Sequence, residues 1–177
     1  MQFSTKAHAP DKLKTPLIVV GVFQSQRLTS DAETLDRASK GALRAVLKRG
    51  DMDGKLASTR LLYDVAGTGA ERVMLVGLGR IEEFGIKQFR EAVRAAGAFA
   101  LETGADRMSL FCLDWPVPLK DARWKARHAA IQIADADYRF DAMKSKKSEP
   151  RTLTHTELLS ASADVVKAAE RGTVEGG

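Results

Sequence analysis

The sequence predicts an α/β fold, a three-layer sandwich in which helices cover both faces of a mixed, mostly parallel sheet. Residues 17–23 (LIVVGVF) form an unbroken apolar run, as expected of a strand that is covered on both faces. Helical apolar periodicity follows this run and recurs twice further along the chain. Two later strand patterns are joined only by residues 66–69 (AGTG), a linker too short for a crossover helix, so that pair should be antiparallel.

The first helix is predicted from residue 30 to about residue 48. Ser30 and Glu33 have the spacing of a capping box. Lysine, arginine and glycine at 48–50 suit the negative end of a helix and the left-handed residue that follows it. The apolar side chains between these signals share one helical face: Leu35, Ala38, Ala42, Ala45 and Val46.

The remaining elements are read in the same way. Residues 60–65, 72–77 and 108–113 are predicted strands, and residues 151–158 are a possible edge strand. A second helix carries Ile86, Phe89, Val93, Ala96 and Ala100 on one face and ends at Gly104. A third helix is predicted over residues 121–138, with Trp124, Ile131 and Tyr138 in phase, and a fourth begins near Asp164.

Composition limits the class of protein. The chain has 177 residues, 44% of them hydrophobic and 29% charged, which fits one globular domain over residues 1–170 and a linker from residue 171. No apolar run reaches the roughly 20 residues of a membrane helix, and the first residues do not form a secretory signal. With Cys112 as the one cysteine, no intrachain disulfide can form, which predicts a reducing, cytoplasmic location.

The densest basic cluster consists of Lys144, Lys146, Lys147 and Arg151, in a predicted turn or loop. The net charge of +5 is compatible with an anionic partner, so these side chains are candidate contacts to DNA phosphates. They are also candidates for a solvated loop, or for contacts with another domain or subunit, and these interpretations are favoured over DNA binding. Their neighbours Glu149 and Pro150 provide no aromatic ring to stack on bases.

Three other patterns suggest local chemistry. Residues 77–79 (GLG) follow a strand, but Glu82 stands where a dinucleotide-binding turn needs a third glycine, so a tight turn is predicted. The acidic groups at 51–53 and 135–141 lack the further ligands of a calcium loop. His8, His128 and His155 have no metal-binding spacing, and Cys112 lies in an apolar run that predicts core packing.

Trp115 lies in a proline-held apolar loop, residues 114–119 (DWPVPL). Proline lowers the ordering cost of a contact, and tryptophan is enriched among interface anchors, so Trp115 is a candidate subunit-interface residue. The alternative is that its ring closes the core of this domain.

Three segments carry a resemblance to a known family: residues 138–147 (YRFDAMKSKK), 73–79 (VMLVGLG) and 48–51 (KRGD). With their order and spacing, the chain resembles the N-terminal domain of the leucyl (cytosol) aminopeptidase family. The resemblance implies a macro-like α/β sandwich. It also implies that the metal-binding and catalytic motifs belong to a second, larger domain downstream, beginning about where this chain stops.

The resemblance has functional implications as well. Full-length members are hexameric exopeptidases that use two divalent cations, manganese or zinc, to remove N-terminal residues, often leucine. This domain would then be non-catalytic, with roles in assembly and in access to the active site. The family signature Asn-Thr-Asp-Ala-Glu-Gly-Arg is absent, since the chain has no asparagine, so no catalytic or metal-binding residue carries over. Macro-like folds can also bind ADP-ribose, but Glu82 and Glu83 argue against that ligand here.

Overall fold

The computed structural model describes residues 1–143 and 153–175, with the backbone alone over 171–175. Seven strands are present in this part of the chain: β1 (Gln2–Ala7), β2 (Thr15–Phe23), β3 (Arg27–Leu28), β4 (Thr59–Tyr63), β5 (Ala70–Gly79), β6 (Arg107–Leu110) and β7 (His155–Ser160). The helices are α1 (Ser30–Ala38), α2 (Ala42–Lys48), α3 (Ile86–Glu102), α4 (Ala122–Met143) and α5 (Ala163–Glu175).

The strands form one mixed sheet in the order β1-β7-β6-β2-β5-β4, and β3 pairs with β2. The four pairings from β1 to β5 are parallel. Strand β4 runs antiparallel to β5, as the short linker between them predicts. The predicted fold class, a mostly parallel sheet with helices on both faces, is therefore confirmed.

Two hydrophobic cores lie on opposite faces of the sheet, because alternate residues of a strand point to opposite sides. Leu17 and Val19 of β2 face helices α3, α4 and α5. Ile18, Val20 and Val22 of the same strand face α1 and α2. All five side chains are fully buried, which explains why residues 17–23 read as an unbroken apolar run.

The first predicted helix is in fact two helices, so the prediction of one helix from 30 to 48 was wrong. Lys40 and Gly41 have φ angles of 58° and 91°, in the left-handed region that ends a helix. The buried Asp36 carboxylate then accepts from Arg44 N at 2.9 Å and from Arg44 Nη1 at 2.7 Å, which satisfies a free amide at the start of α2. The cap of α1 is also Thr29 rather than Ser30.

Helix α4 buries a different face from the predicted one. Ile131 and Tyr138 are 48% and 72% exposed, whereas Ile133 is fully buried. The buried face consists mainly of small residues, among them Ala126 and Ala129, in the core that α4 shares with α3 and α5. The prediction, which followed the large apolar residues, therefore assigned the wrong face of α4 to the core. Two helices that pack closely favour alanine and glycine at their contact.

The C-terminal part of the chain differs from the prediction in two ways. Strand β7 is not an edge strand, because the unpredicted strand β1 pairs with it in parallel, from Gln2 opposite His155 to Ala7 opposite Ser160. Helix α5 continues to Glu175, so it occupies much of the segment assigned to a linker from residue 171. None of the helices in the described ranges is long and apolar enough to cross a membrane.

Candidate functional site

A crevice lies at the carboxyl ends of the central strands. Strand β2 leads to β3, α1 and α2 on one face, whereas β5 is followed by α3 and then β6 on the other face. The chain thus leaves β2 and β5 in opposite directions, and open α/β sheets bind ligands where such a reversal occurs. Two depressions mark this crevice, an outer groove and an inner cavity.

The outer groove is wide and charged, with a volume of about 1040 Å³. Its cations are Arg27, Arg44 and Arg80, and its acids are Glu33, Asp53, Glu82 and Glu83. Two of the cations are already paired: Arg44 with Asp36 at 2.7 Å and Arg80 with Glu83 at 3.8 Å. The groove therefore offers little free positive charge to an anionic ligand.

The inner cavity is smaller, with a volume of about 240 Å³. Apolar side chains form part of its wall: Phe23, Leu28, Ile81, Trp115 and Pro116. Its charged lining residues are Arg27, Asp31 and Asp114. A small apolar-walled space with a few converging polar groups is the usual form of a small-molecule site.

The hairpin formed by β2 and β3 positions the first of these charged residues. Ser25 and Gln26, in the three-residue loop that joins the two strands, have φ angles of 65° and 58°, in the left-handed region. The turn pairs Arg27 with Phe23 across the hairpin. Arg27 is thereby held at the mouth of the cavity, beside the end of β2.

The start of α1 positions Asp31. Thr29 Oγ1 donates to Gly21 O at 2.9 Å and accepts from Ala32 N at 3.4 Å, so one side chain ties the helix start to β2. Asp31 is only 3% exposed, and its Oδ2 has no hydrogen-bond partner among the described residues. Burial, with the nearby charge of Asp114, raises the pKa of Asp31 to about 7.

Asp114, which follows strand β6, is held from the other side of the cavity. Ser160 Oγ donates to Asp114 Oδ2 at 2.6 Å. The Lys125 ammonium donates to Leu113 O at 3.2 Å, close to the same carboxylate. Burial lowers the pKa of Lys125, although Asp114 acts in the opposite direction.

The Trp115 ring belongs to the core. It is 1% exposed and makes edge-to-face contacts with Phe84 and Phe89, with ring centroids 6.3 and 5.8 Å away. Two interpretations of this residue follow from the sequence. In the structure the ring lies in the domain's own core and is not exposed as an interface anchor would be. The exposed apolar side chain of the same loop is Leu119.

Other residues singled out in the sequence are dispersed. Lys144, Lys146, Lys147 and Arg151 lie outside the described residues, so their role as DNA or interdomain contacts stays a prediction. Cys112 is fully buried, and burial raises the pKa of its thiol, as expected of a core residue. Within residues 1–143 and 153–175, no three His, Cys, Asp or Glu side chains gather to hold a metal ion.

The 77–79 glycines serve the sheet rather than a phosphate. Gly77 and Gly79 are the end of strand β5 rather than a separate tight turn. A side chain on Gly77 would collide with the Lys55 carbonyl and Ser58 Oγ. Gly79 has a φ of 78°. The close approach of residues 55–58 therefore explains the glycine at 77, and the left-handed backbone explains the glycine at 79.

Sequence reasoning missed Asp31 and Asp114 as site residues. A signal was present, since Asp114 directly follows a buried apolar run and Asp31 opens the helix that comes after the central strand. Polar residues just beyond the carboxyl ends of parallel strands are the usual source of ligand contacts in such folds. The periodicity that identifies the elements does not show that these two residues meet.

Comparison with known proteins places this chain in a family. Residues 19–147 match the description of the N-terminal domain of the cytosol aminopeptidase family. The probable cytosol aminopeptidase of Dechloromonas aromatica is 44% identical over 151 residues, which are 85% of this chain and 30% of that protein. Its counterpart in Chromobacterium violaceum is 40% identical over 99% of this chain and 35% of its own length.

Solved structures show the same fold at low sequence identity. A tomato leucine aminopeptidase variant superposes with a TM-score of 0.72 at 17% identity, over 98% of this chain and 35% of that one. A Trypanosoma brucei macrodomain in complex with ADP-ribose superposes with a TM-score of 0.65 at 14% identity, over 97% and 69% of the two chains. This chain spans about a third of the length of the curated relatives it matches. It belongs to the cytosol aminopeptidase family, as that family's N-terminal domain.

Proposed function

We propose that this chain is the non-catalytic N-terminal domain of a metal-dependent leucyl aminopeptidase and that it contributes to assembly and to active-site access. The observation that carries the proposal is the 44% identity to a probable cytosol aminopeptidase, confined to 30% of that protein. The remaining length of such a relative is where the two divalent cations, manganese or zinc, and the peptidase chemistry are proposed to reside. The proposed location is the cytoplasm.

A role in assembly is supported by exposed apolar side chains. Leu119 is completely exposed in the loop after β6, and helix α4 presents Tyr138 and Met143 at 72% and 87% exposure. Tyrosine and methionine are enriched in protein–protein interfaces. We propose that these side chains contact the catalytic domain or a neighbouring subunit, in a hexamer of the complete enzyme.

Binding of ADP-ribose is not part of the proposal, although the macrodomain fold is shared. The outer groove has Glu82 and Glu83 beside Asp53, and two of its arginines are paired. A diphosphate would meet carboxylates there, and repulsion would oppose binding. Titration calorimetry with ADP-ribose is expected to give no heat of binding, and micromolar affinity would overturn this judgement.

A chimera tests the proposed function. Residues 1–170 of this chain would replace the matching N-terminal segment of the Dechloromonas aromatica relative, beside that relative with the segment deleted. With Mn²⁺ present, the chimera is expected to release leucine from leucyl-p-nitroanilide and to assemble, whereas the deleted protein should do so poorly. A folded chimera no better than the deleted protein would contradict the proposal.

The isolated chain provides the complementary test. It should release no leucine from the same substrate with Mn²⁺ or Zn²⁺, and light scattering should report a monomer or weak dimer. Metal-dependent turnover that co-purifies with the 177-residue chain would show that it is catalytic. A stable hexamer would show that this chain directs assembly without the proposed catalytic domain.

A further inference from the structure

The inner cavity contains an acid that the fold leaves unsatisfied. Asp31 lines the cavity, is 3% exposed, and its Oδ2 accepts no hydrogen bond from the described residues. Buried polar atoms almost always have a partner, so an exception calls for an explanation such as a ligand that supplies one. A group that donates N–H bonds and carries positive charge would satisfy this carboxylate best.

A cation stands at the mouth of the same cavity. Arg27 is exposed, lines both the cavity and the outer groove, and makes no ion pair with any residue the structure describes. Its guanidinium can bind a carboxylate through two parallel hydrogen bonds. The wall of the cavity also includes the apolar side chains of Phe23 and Ile81. The cavity therefore combines a carboxylic acid, a guanidinium cation and an apolar surface.

This combination excludes two simpler ligand classes. A polyanion would meet Asp31 and Asp114 inside the cavity, and Glu82 and Glu83 outside it. A divalent cation would find only two carboxylates, because no third metal-binding side chain joins them in the described part of the chain. A zwitterion with a small apolar group matches all three features. The volume of about 240 Å³ is also below the range usual for drug-sized ligands, as suits an amino acid.

We propose that the inner cavity binds a free α-amino acid with an apolar side chain. The α-ammonium donates to Asp31, the carboxylate pairs with Arg27, and the side chain packs against Phe23 and Ile81. The inference rests on the proposed function and deepens it, because such an amino acid is the product an aminopeptidase releases. The site would let the N-terminal domain sense accumulated product.

The charges around Asp31 give the binding a pH dependence. Burial and the facing carboxylate of Asp114 raise the pKa of Asp31 to about 7. Lys125 on α4, which lies near Asp114, and Arg27 on β3 are the neighbouring cations. The ligand ammonium binds the ionised carboxylate, so affinity should rise about tenfold between pH 6 and pH 8 as Asp31 loses its proton. Below pH 7, binding should release a proton.

The test is calorimetric titration of the 177-residue chain with L-leucine at pH 8 and pH 6. Three probes each lack one feature: 3-methylbutylamine lacks the carboxylate, 4-methylpentanoate lacks the ammonium, and glycine lacks the side chain. Leucine is expected to bind at least about tenfold more tightly than each of them. An amine that binds as tightly as leucine would overturn the assignment to an amino acid.

Variants locate the site. Asp31→Asn and Arg27→Gln are each expected to weaken leucine binding at least about tenfold at pH 8, and Asp31→Asn should also abolish the pH dependence. Glu82→Gln is the matched control, because it neutralises a carboxylate of the outer groove only. Near-ultraviolet circular dichroism confirms that each variant is folded. No leucine binding by the folded chain at millimolar concentration, or equal binding by Asp31→Asn, would overturn this inference and leave the chimera test unaffected.

Discussion

Asp31 and Asp114 bring two carboxyl groups to one end of the sheet, and the charge of Asp114 adds to burial in raising the pKa of Asp31 to about 7. Neither residue is near the other in sequence. Asp31 is in the first turn of helix α1, and Asp114 follows strand β6. The strand order places β6 next to β2, so the fold brings the two acids together despite their repulsion. That repulsion has consequences for stability.

The first prediction concerns stability as a function of pH. The folded-state pKa of Asp31 lies above the ordinary value of 3.8, so the folded protein holds this proton more tightly than the unfolded chain. The free energy of unfolding should therefore fall as pH rises from about 4 to about 7, by at most roughly 4 kcal/mol from this group. Asp31→Asn removes the titration, so its stability relative to the parent should increase over that range.

Urea unfolding of both proteins at several pH values measures this difference. Glu82→Gln is the control, since its side chain is exposed and should leave the pH profile of the parent unchanged. A constant difference between Asp31→Asn and the parent from pH 4 to pH 8 would show that Asp31 titrates normally in the folded state.

The elements of this fold differ in how far the sequence predicts them. Strand β2 and helix α3 were predicted because burial on both strand faces, or on one helix face, leaves a direct pattern in the residues. The break between α1 and α2 was not predicted, because it depends on a left-handed Lys40, a conformation that lysine rarely adopts. Strand β1 was missed because its exposed edge position leaves a largely polar sequence.

The candidate site was harder to predict than the fold. The inner cavity exists because the β2–β3 hairpin, the start of α1 and the loop after β6 meet at one end of the sheet. Local sequence patterns describe each of these segments but not their meeting. Only the topology shows that Asp31 and Asp114 share a space. The rule that ligands bind at the carboxyl ends of strands would have selected the region, though not the residues.

The second prediction concerns Gly77. Alanine at this position would place a Cβ into the Lys55 carbonyl and Ser58 Oγ, and a backbone oxygen cannot turn away as a side chain can. Gly77→Ala should destabilise the protein by about 1–3 kcal/mol or more, measured by urea unfolding. Gly85→Ala is the control, because its nearest neighbour would be Gln88 Oε1 at 3.5 Å, an ordinary contact. Its cost should be limited to that of alanine at the N-cap of α3, less than about 1 kcal/mol. Equal effects of the two changes would contradict the close approach at Gly77.

The third prediction separates the two isoleucines of helix α4. Ile133 is fully buried, and its Cγ1 would lie 3.4 Å from a Cβ built on Gly97 of α3, so the two helices approach closely there. Ile133→Ala leaves a cavity at this contact and should cost about 2–5 kcal/mol in unfolding free energy. Ile131→Ala should cost less than about 1 kcal/mol, since Ile131 is 48% exposed. A larger cost for Ile131→Ala than for Ile133→Ala would instead support the helix face predicted from the sequence, with Ile131 in the core.

The last prediction concerns a buried hydrogen-bond chain at the other end of the sheet, running through Thr15, Ser109 and Glu157. Ser109 Oγ donates to Glu157 Oε1 at 3.1 Å and lies 2.7 Å from Thr15 Oγ1. A hydroxyl has one proton, and that of Ser109 goes to Glu157. Thr15 therefore donates to Ser109 at 2.7 Å rather than to Leu17 O, which lies at 3.5 Å. Lys6 Nζ lies 4.0 Å from the outer oxygen of Glu157. Ser109 is therefore the residue in the middle of these hydrogen bonds: its hydroxyl accepts from Thr15 and donates to Glu157.

This direction fixes the order of the expected effects. Ser109→Ala leaves the buried Glu157 carboxylate without its hydroxyl donor and should cost about 1–3 kcal/mol. Thr15→Val keeps the bond from Ser109 to Glu157, so its cost should be smaller, about 1 kcal/mol. Ser30→Ala, at an exposed serine, should change stability by less than about 0.5 kcal/mol. Urea unfolding of the three variants measures the order, and a Thr15→Val cost above that of Ser109→Ala would reverse the assigned donors.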